Sequence, residues 1–265
     1  MSINESLAYL VFVALSWGLS EVFVKRRKMA LPAIVLLLTF VGGAFSFTGS
    51  LFSPQSSYAV IFATAVSTLA AYVHWRRFNV PITVAVGTGT GLALLGSTVL
   101  SIFPDSAGFL MVTLFLCGCV AFALAMYWDA GDTSRTTRKS DVAFWLHLLS
   151  APLIIHPIFS SLGVLEGNES LSNMLLIVLL YLLMTVVSIS IDRRAFMVSS
   201  LMYVIYALVS LFDHYGGVGY SFAITGIVMG ASLLLLSFYW HTVRSIFVQR
   251  LPECIQGYLP VVKRV

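Results

Sequence analysis

Apolar residues fill this chain in unbroken stretches of about twenty, and charge is confined to short intervals between them, the pattern of helices that cross a bilayer. From Lys28 to Arg76 no charged residue occurs over a length sufficient for two crossings. Ser53-Pro54-Gln55-Ser56-Ser57 near its middle is turn chemistry, which predicts a helical hairpin. Single crossings are predicted between Arg77 and Asp105, Asp105 and Asp129, Asp141 and Glu166, Glu169 and Asp192, Arg194 and Asp213, and Asp213 and Arg244. Another, over residues 7–24, is apolar except for Glu21 and is stopped by Lys25-Arg26-Arg27-Lys28. Lipid supplies no water to unpaired backbone groups, and the stretches are too long and continuous for alternating barrel strands. The expected fold class is therefore all-α: a polytopic membrane bundle of about nine helices over residues 1–242, with an amphipathic tail over residues 243–265.

Composition removes the alternative of a water-soluble globule, because 59% of the residues are apolar and only 10% charged, against about 25% charged in soluble domains. Charge then orients the bundle. All 15 Lys and Arg fall after predicted helices 1, 3, 5 and 7 or after helix 9, whereas Glu5, Asp105, Glu166, Glu169 and Asp213 fall opposite. The positive-inside rule puts the N-terminus outside and the C-terminus in the cytoplasm. Fifteen bases and six acids make the cytoplasmic side +9, and the five opposite acids make the other −5. The expected partner of that cytoplasmic charge is anionic lipid, not nucleic acid. Residues 1–5 lack a basic residue, and helix 1 ends at a basic stop without a small-residue cleavage site, so it is expected to be retained.

Beyond helix 9, Val243, Phe247, Leu251, Ile255 and Leu259 recur every four residues among Arg244, Gln249, Arg250 and Gln256, which predicts an interfacial segment on the cytoplasmic leaflet. Glycines gather in helices 2, 4 and 9: Gly42, Gly43 and Gly49; Gly87, Gly89, Gly91 and Gly96; Gly226 and Gly230. Gly87-Thr88-Gly89-Thr90-Gly91 has neither a preceding strand nor a Lys, so it fails as a phosphate loop. The four-residue spacing of Gly87 with Gly91, and of Gly226 with Gly230, suits close helix packing instead. Thr88, Thr90, Ser97 and Thr98 are candidates for a polar path.

The most polar interval lies between helices 5 and 6, with Asp129, Asp132, Arg135, Arg138, Lys139 and Asp141. The Asp129–Asp132 spacing resembles the Mg²⁺-diphosphate sites of membrane prenyl- and phosphatidyltransferases, where carboxylates hold the metal that neutralises a leaving group. The phosphatidyltransferase pattern needs a Gly where Thr133 stands and a further acid pair where Asp141 stands alone. A second acidic motif, as in prenyltransferases, has only Asp192 beside Arg193 and Arg194 to draw on. The ordinary account is that Gly131 ends helix 5, Asp132 or Ser140 caps the next helix, and the acids pair with Arg135 and Arg138.

Helix 6 carries Trp145, His147, Pro152, His156 and Pro157, and the two prolines predict a kinked or broken helix of the kind that lines transporter sites. Intramembrane His is a functional candidate by default. His147 and His156 are nine residues apart and half a turn out of phase, so one continuous helix cannot direct both to one metal. Haem would need a facing partner, and His74, His241 and His214 lie near the ends of spans. Cys117, Cys119 and Cys254 form no metal or redox motif. No span holds a Lys for a retinal Schiff base, and H-E-x-x-H, G-x-S-x-G and G-x-G-D are absent. Glu21 is expected to pair with Lys25 one turn on. Asp141-Val142-Ala143-Phe144 and Asp192-Arg193-Arg194-Ala195-Phe196 echo one another after two cytoplasmic turns.

Glu21-Val22-Phe23-Val24-Lys25-Arg26-Arg27-Lys28-Met29-Ala30-Leu31-Pro32, the stretch from Trp128 to Pro157, and Arg250-Leu251-Pro252 with Leu259-Pro260 resemble a group of uncharacterised bacterial polytopic inner-membrane proteins. The resemblance implies a bacterial inner membrane and no particular activity. The function expected is that of a small-solute transporter, lined by His147, His156, Pro152 and Pro157 with the charged interval as a cytoplasmic gate, or of an accessory subunit with a protein or homo-oligomeric partner. The rivals are a Mg²⁺-dependent lipid or prenyl transferase using Asp129 and Asp132, and a haem- or quinone-associated subunit.

Overall fold

The structure, a computed structural model, describes residues 3–53, 56–103, 107–162, 171–214 and 221–261. Among them the chain is all-helical: α1 (Ile3–Ser20), continued by a π-helical stretch (Glu21–Arg26), α2 (Ala30–Ser50), α3 (Ser57–Phe78), α4 (Pro81–Ile102), α5 (Ala107–Ala130), α6 (Arg138–Ser161), α7 (Leu171–Ile191), α8 (Ala195–His214), α9 (Ser221–Phe238), α10 (Trp240–Gln249) and α11 (Glu253–Gln256). The helices α1 to α9 occupy the nine predicted intervals. By length and hydropathy, α1 to α6 suffice to cross a bilayer, and α9 with α10, bent by 68°, adds a seventh if the pair is one span. The described apolar stretches of α7 and α8 are shorter. Of the expected features, Pro54 and Gln55 of the first turn, the acids Asp105, Glu166 and Glu169, and Lys263 and Arg264 lie outside the described residues.

The chain divides into two compact units, Met1–Cys117 and Gly118–Val265. In the first, α1 packs on α2, α2 on α3 and α3 on α4. Small residues set the approach, since lipid gives apolar side chains little reason to leave it and close packing must hold helices together. A Cβ on Gly43 would lie 2.9 Å from Val13 Cγ2, and one on Gly87 or Gly91 would meet Ala71 or Thr68 at 3.4 or 3.7 Å. A Cβ on Gly226 or Gly230 of α9, in contrast, would meet nothing within 4 Å among the described residues. Thr90, Ser97 and Thr98 donate to carbonyls of their own helix, at Gly87 and Leu94.

The second unit is built around α6, whose Leu146, His147, Ala151, Ile155 and Phe159 are fully buried. Of the expected kink or break, the break does not occur: the helix is continuous through Pro152 and Pro157. Each proline removes one donor, and neighbours packed along the helix hold its remaining bonds in register, as membrane helices tolerate. Gly118 of α5 carries the tightest contact. A Cβ there would stand 2.9 Å from both Ile154 N and Leu153 C, so α5 lies backbone-to-backbone on α6 between the two prolines.

Four connections turn on a non-glycine residue with positive φ: Lys28, Asn79, Arg135 and Asp192. At Asp192 the amide donates to Ile189 O and the next amide, of Arg193, to Ser188 O, the paired bonds of a Schellman end to α7. Part of the tail is docked on the second unit. Trp240, Val248 and Leu259 are buried, and Val248 and Leu259 belong to the same apolar cluster as Phe159 and Phe196.

Candidate functional site

Gly131 stops α5 one residue after Ala130, which leaves Asp129 in the last turn with its carboxylate turned into the unit. The Schellman end of α7 delivers Arg193 to the same place. Arg193 grips Asp129 through Nη2 to Oδ1 at 2.6 Å and Nε to Oδ2 at 3.3 Å. His147, one helix over on α6, sets Nε2 2.9 Å from Oδ2. Side-chain exposure is 1% for Asp129, 0% for His147 and 10% for Arg193, so the trio is shielded from solvent. Arg193 Nη2 also donates to the carbonyl and hydroxyl of Ser140, and Phe122 and Phe196 present ring edges to His147 at 5.5 and 6.4 Å.

An ionised carboxylate only accepts, so His147 Nε2 carries the proton toward Asp129. Its Nδ1 is buried and has no hydrogen-bond partner among the described residues. In the neutral ring this nitrogen is a bare acceptor; a proton placed on it would find no acceptor.

A second carboxylate ties the surroundings together. Asp192 accepts from Arg135 Nη1 at 2.6 Å and from Trp240 Nε1 at 2.7 Å, with Arg244 Nε at 3.8 Å. Arg135 Nη2 further bonds the carbonyls of Ile191 and Asp192, and the Arg194 guanidinium lies 5.0 Å above the Trp240 ring. Burial, then the nearby Arg193 charge, push Arg135 below its ordinary value, while Asp192 and Asp129 oppose them.

Asp132 does not join Asp129. It accepts from the Ser134 hydroxyl, the Thr136 amide, and the Thr137 amide and hydroxyl, which staples the α5–α6 connection. These bonds, that of the Thr137 hydroxyl first, hold its pKa at about 2 against the cost of its own desolvation. The cap of α6 is Thr137, which accepts from Lys139 N, in place of the expected Asp132 or Ser140. Arg138 and Asp141 are exposed on the first turn and lie outside the network.

The expected grouping thus resolves into separate sites. Asp129 and His147 come together. His156 instead meets Tyr203, Nδ1 to Oη 2.7 Å, and Tyr203 stacks on Phe159 at 4.7 Å. Arg135 pairs with Asp192 and not with the acids of its own connection. In the first unit Glu21 takes both donors of Arg77, at 2.6 and 3.0 Å, in place of the expected Lys25; the planar guanidinium fork offers two bonds where an ammonium offers one. Arg193, Trp240 and Arg244 carry no site signal in the sequence, and Asp192 and Ser140 stand there only as an incomplete acidic motif and a possible cap.

For a metal, the arrangement is unfavourable. Both oxygens of Asp129 and both of Asp132 are engaged by protein donors, and no group of three His, Cys, Asp or Glu suited to a metal occurs among the described residues. Comparison with known protein families, with curated proteins and with solved structures finds no match.

Proposed function

We propose that this chain is a multi-pass protein of a bacterial inner membrane that moves a small solute, with Asp129, His147 and Arg193 forming a proton-responsive gate near the cytoplasmic ends of its helices. One observation carries the reading: a fully buried carboxylate–imidazole pair between two helices of membrane length, α5 and α6, gripped by a guanidinium that is only 10% exposed. Desolvating such groups costs about as much as their attraction returns, and a well-packed apolar set would serve stability equally well or better. Ionisable groups kept among membrane helices mark pathways and proton relays. The Asp129–His147 hydrogen bond is a place to hold a proton, and the bare Nδ1 of His147 is a second position for it.

Nine crossings with the N-terminus outside accompany this proposal. It is supported by the meeting of Glu21 with Arg77 in one unit, and of Arg135 with Asp192 and Arg244 in the other, because these are ends that charge assigns to the cytoplasm. Anionic lipid headgroups are the proposed partners of the exposed Lys25, Arg26, Arg27 and Lys28. The open face at Gly226 and Gly230 suits a helix of another protein and favours the accessory-subunit reading.

The test is flux. Proteoliposomes with a trapped pH dye are exposed to pools of amino acids, organic acids and sugars. The expected result is a solute-triggered change in lumenal pH that His147→Gln and Asp129→Asn each abolish in protein that still elutes as a single folded species. Flux of the same size in both variants overturns the gate.

A further inference from the structure

The Asp129 site is closed from two sides by connections that do not follow one another in sequence, and the C-terminal segment is attached to both. On one side is the α5–α6 connection, where Thr133 O accepts from the amide of Val261 at 3.2 Å. On the other is the α7–α8 connection, where Asp192 accepts from Trp240 Nε1 and Arg194 lies over the Trp240 ring. Arg244, 3% exposed, bonds the Pro260 carbonyl and so folds the segment back on itself between the two attachments. Val248 and Leu259 are seated in the apolar cluster of the unit, which makes the arrangement a docked element.

We infer that the segment from Trp240 to Val261 is a clasp that regulates access to the Asp129–His147–Arg193 site. It rests on the gate reading only for its consequence, not for its geometry. Asp129 lies in the last turn of α5, directly before one of the connections that the clasp joins, and Arg193 lies on the other, so separating those connections and keeping the clasp docked are mutually exclusive. The attachments are few and polar: one indole N–H to a carboxylate, one backbone amide to a carbonyl, one cation over a ring, and the 3.8 Å ion pair of Arg244 with Asp192. Apolar anchors give the segment its place, and the polar bonds give it a state that can be lost without unfolding the helices beneath. The groups facing Asp192 across this junction are Arg135, Arg244 and Trp240.

Two substitutions each remove one attachment and little else. Trp240→Phe keeps a ring and deletes the donor to Asp192. Val261→Pro deletes the amide donor to Thr133 at an exposed position that already follows a proline. The reporter is a cysteine at Ala143, fully buried and one turn before His147, in a chain whose Cys117, Cys119 and Cys254 are replaced by Ala. Inside-out vesicles are treated with a charged, membrane-impermeant thiol reagent. The expected outcome is slow labelling with the clasp intact, about tenfold faster labelling in either variant, as one hydrogen bond to a charged or backbone group would give, and a larger increase in the double variant. An unchanged rate in both single variants and in the double overturns the clasp, whatever the flux. Faster labelling without any solute flux sustains the clasp and removes the transport reading instead.

Discussion

Each unit buries a histidine among aromatic rings and sets an acid against an arginine, yet only the second joins the two. In the first, His74 is enclosed by Trp17, Phe40 and Phe78, touches Thr83 Oγ1 at 3.3 Å through Nδ1, and has no partner for Nε2 among the described residues. The ion pair of that unit, Glu21 with Arg77, is 31% and 44% exposed and does not include the ring. In the second, the acid is buried, the arginine is nearly so, and the imidazole is bonded to the acid. The same residue types therefore serve two ends. Where charge stays at the surface, the pair is dispensable and the histidine is packing. Where charge is drawn inside, each member makes the others necessary.

The sharpest way to break this contrast is to remove one charge from each pair. Asp129→Asn or Arg193→Gln leaves a buried partner uncompensated, and a loss of about 3–5 kcal/mol in unfolding free energy is expected. Glu21→Gln or Arg77→Gln should cost no more than about 1 kcal/mol. Denaturant unfolding in mild detergent reads both, and equal costs would erase the distinction. Glycine substitution is the next test. Gly118→Ala drives a methyl against the α6 backbone and should cost about 1–3 kcal/mol. Gly43→Ala meets the Val13 side chain at 2.9 Å but backbone atoms only at 3.7 Å, so its midpoint should shift less. Acid is the gentlest probe. The pKa of Asp132 is lowered in the folded state, so its contribution is complete above the unfolded value near 3.8 and is lost as pH falls from about 4 toward about 2. Asp132→Asn should flatten stability across that window in unfolding midpoints taken from pH 5 to 2, whereas the first unit's connections at Lys28 and Asn79 hold no acid to titrate.

Helix positions are readable from sequence because the bilayer forbids charge in the spans and tolerates it between them. The same rule makes Arg193 and Asp192 look like mere topological charge. Their partners, Asp129 and Arg135, are 64 and 57 residues away, and no local spacing encodes a bond between connections that far apart. Asp129 and His147 each stand out in the sequence, but as parts of different ideas, a metal pair and a broken helix. The prolines mislead because their local cost says nothing of the packing on α6. Gly118 is inconspicuous because it has no partner at four-residue spacing; its closeness comes from contact with Leu153 and Ile154 of another helix. Tail periodicity does not mark which residues are seated on the unit, since the buried Trp240 and Val248 lie off the predicted stripe.

The long separation within the buried pair also has a meaning in time. Chains emerge at roughly 5–20 residues per second, so the 64 residues between Asp129 and Arg193 represent about 3–13 s during which the fifth helix is made and its acid lacks the arginine that grips it. For that interval the carboxylate has His147, 18 residues away, as the member of the trio already made, and the trio is completed only once α7 has been delivered. The site is thus finished last by the residue most distant in sequence, so a chain cut short before Arg193 carries the acid and the imidazole without the guanidinium.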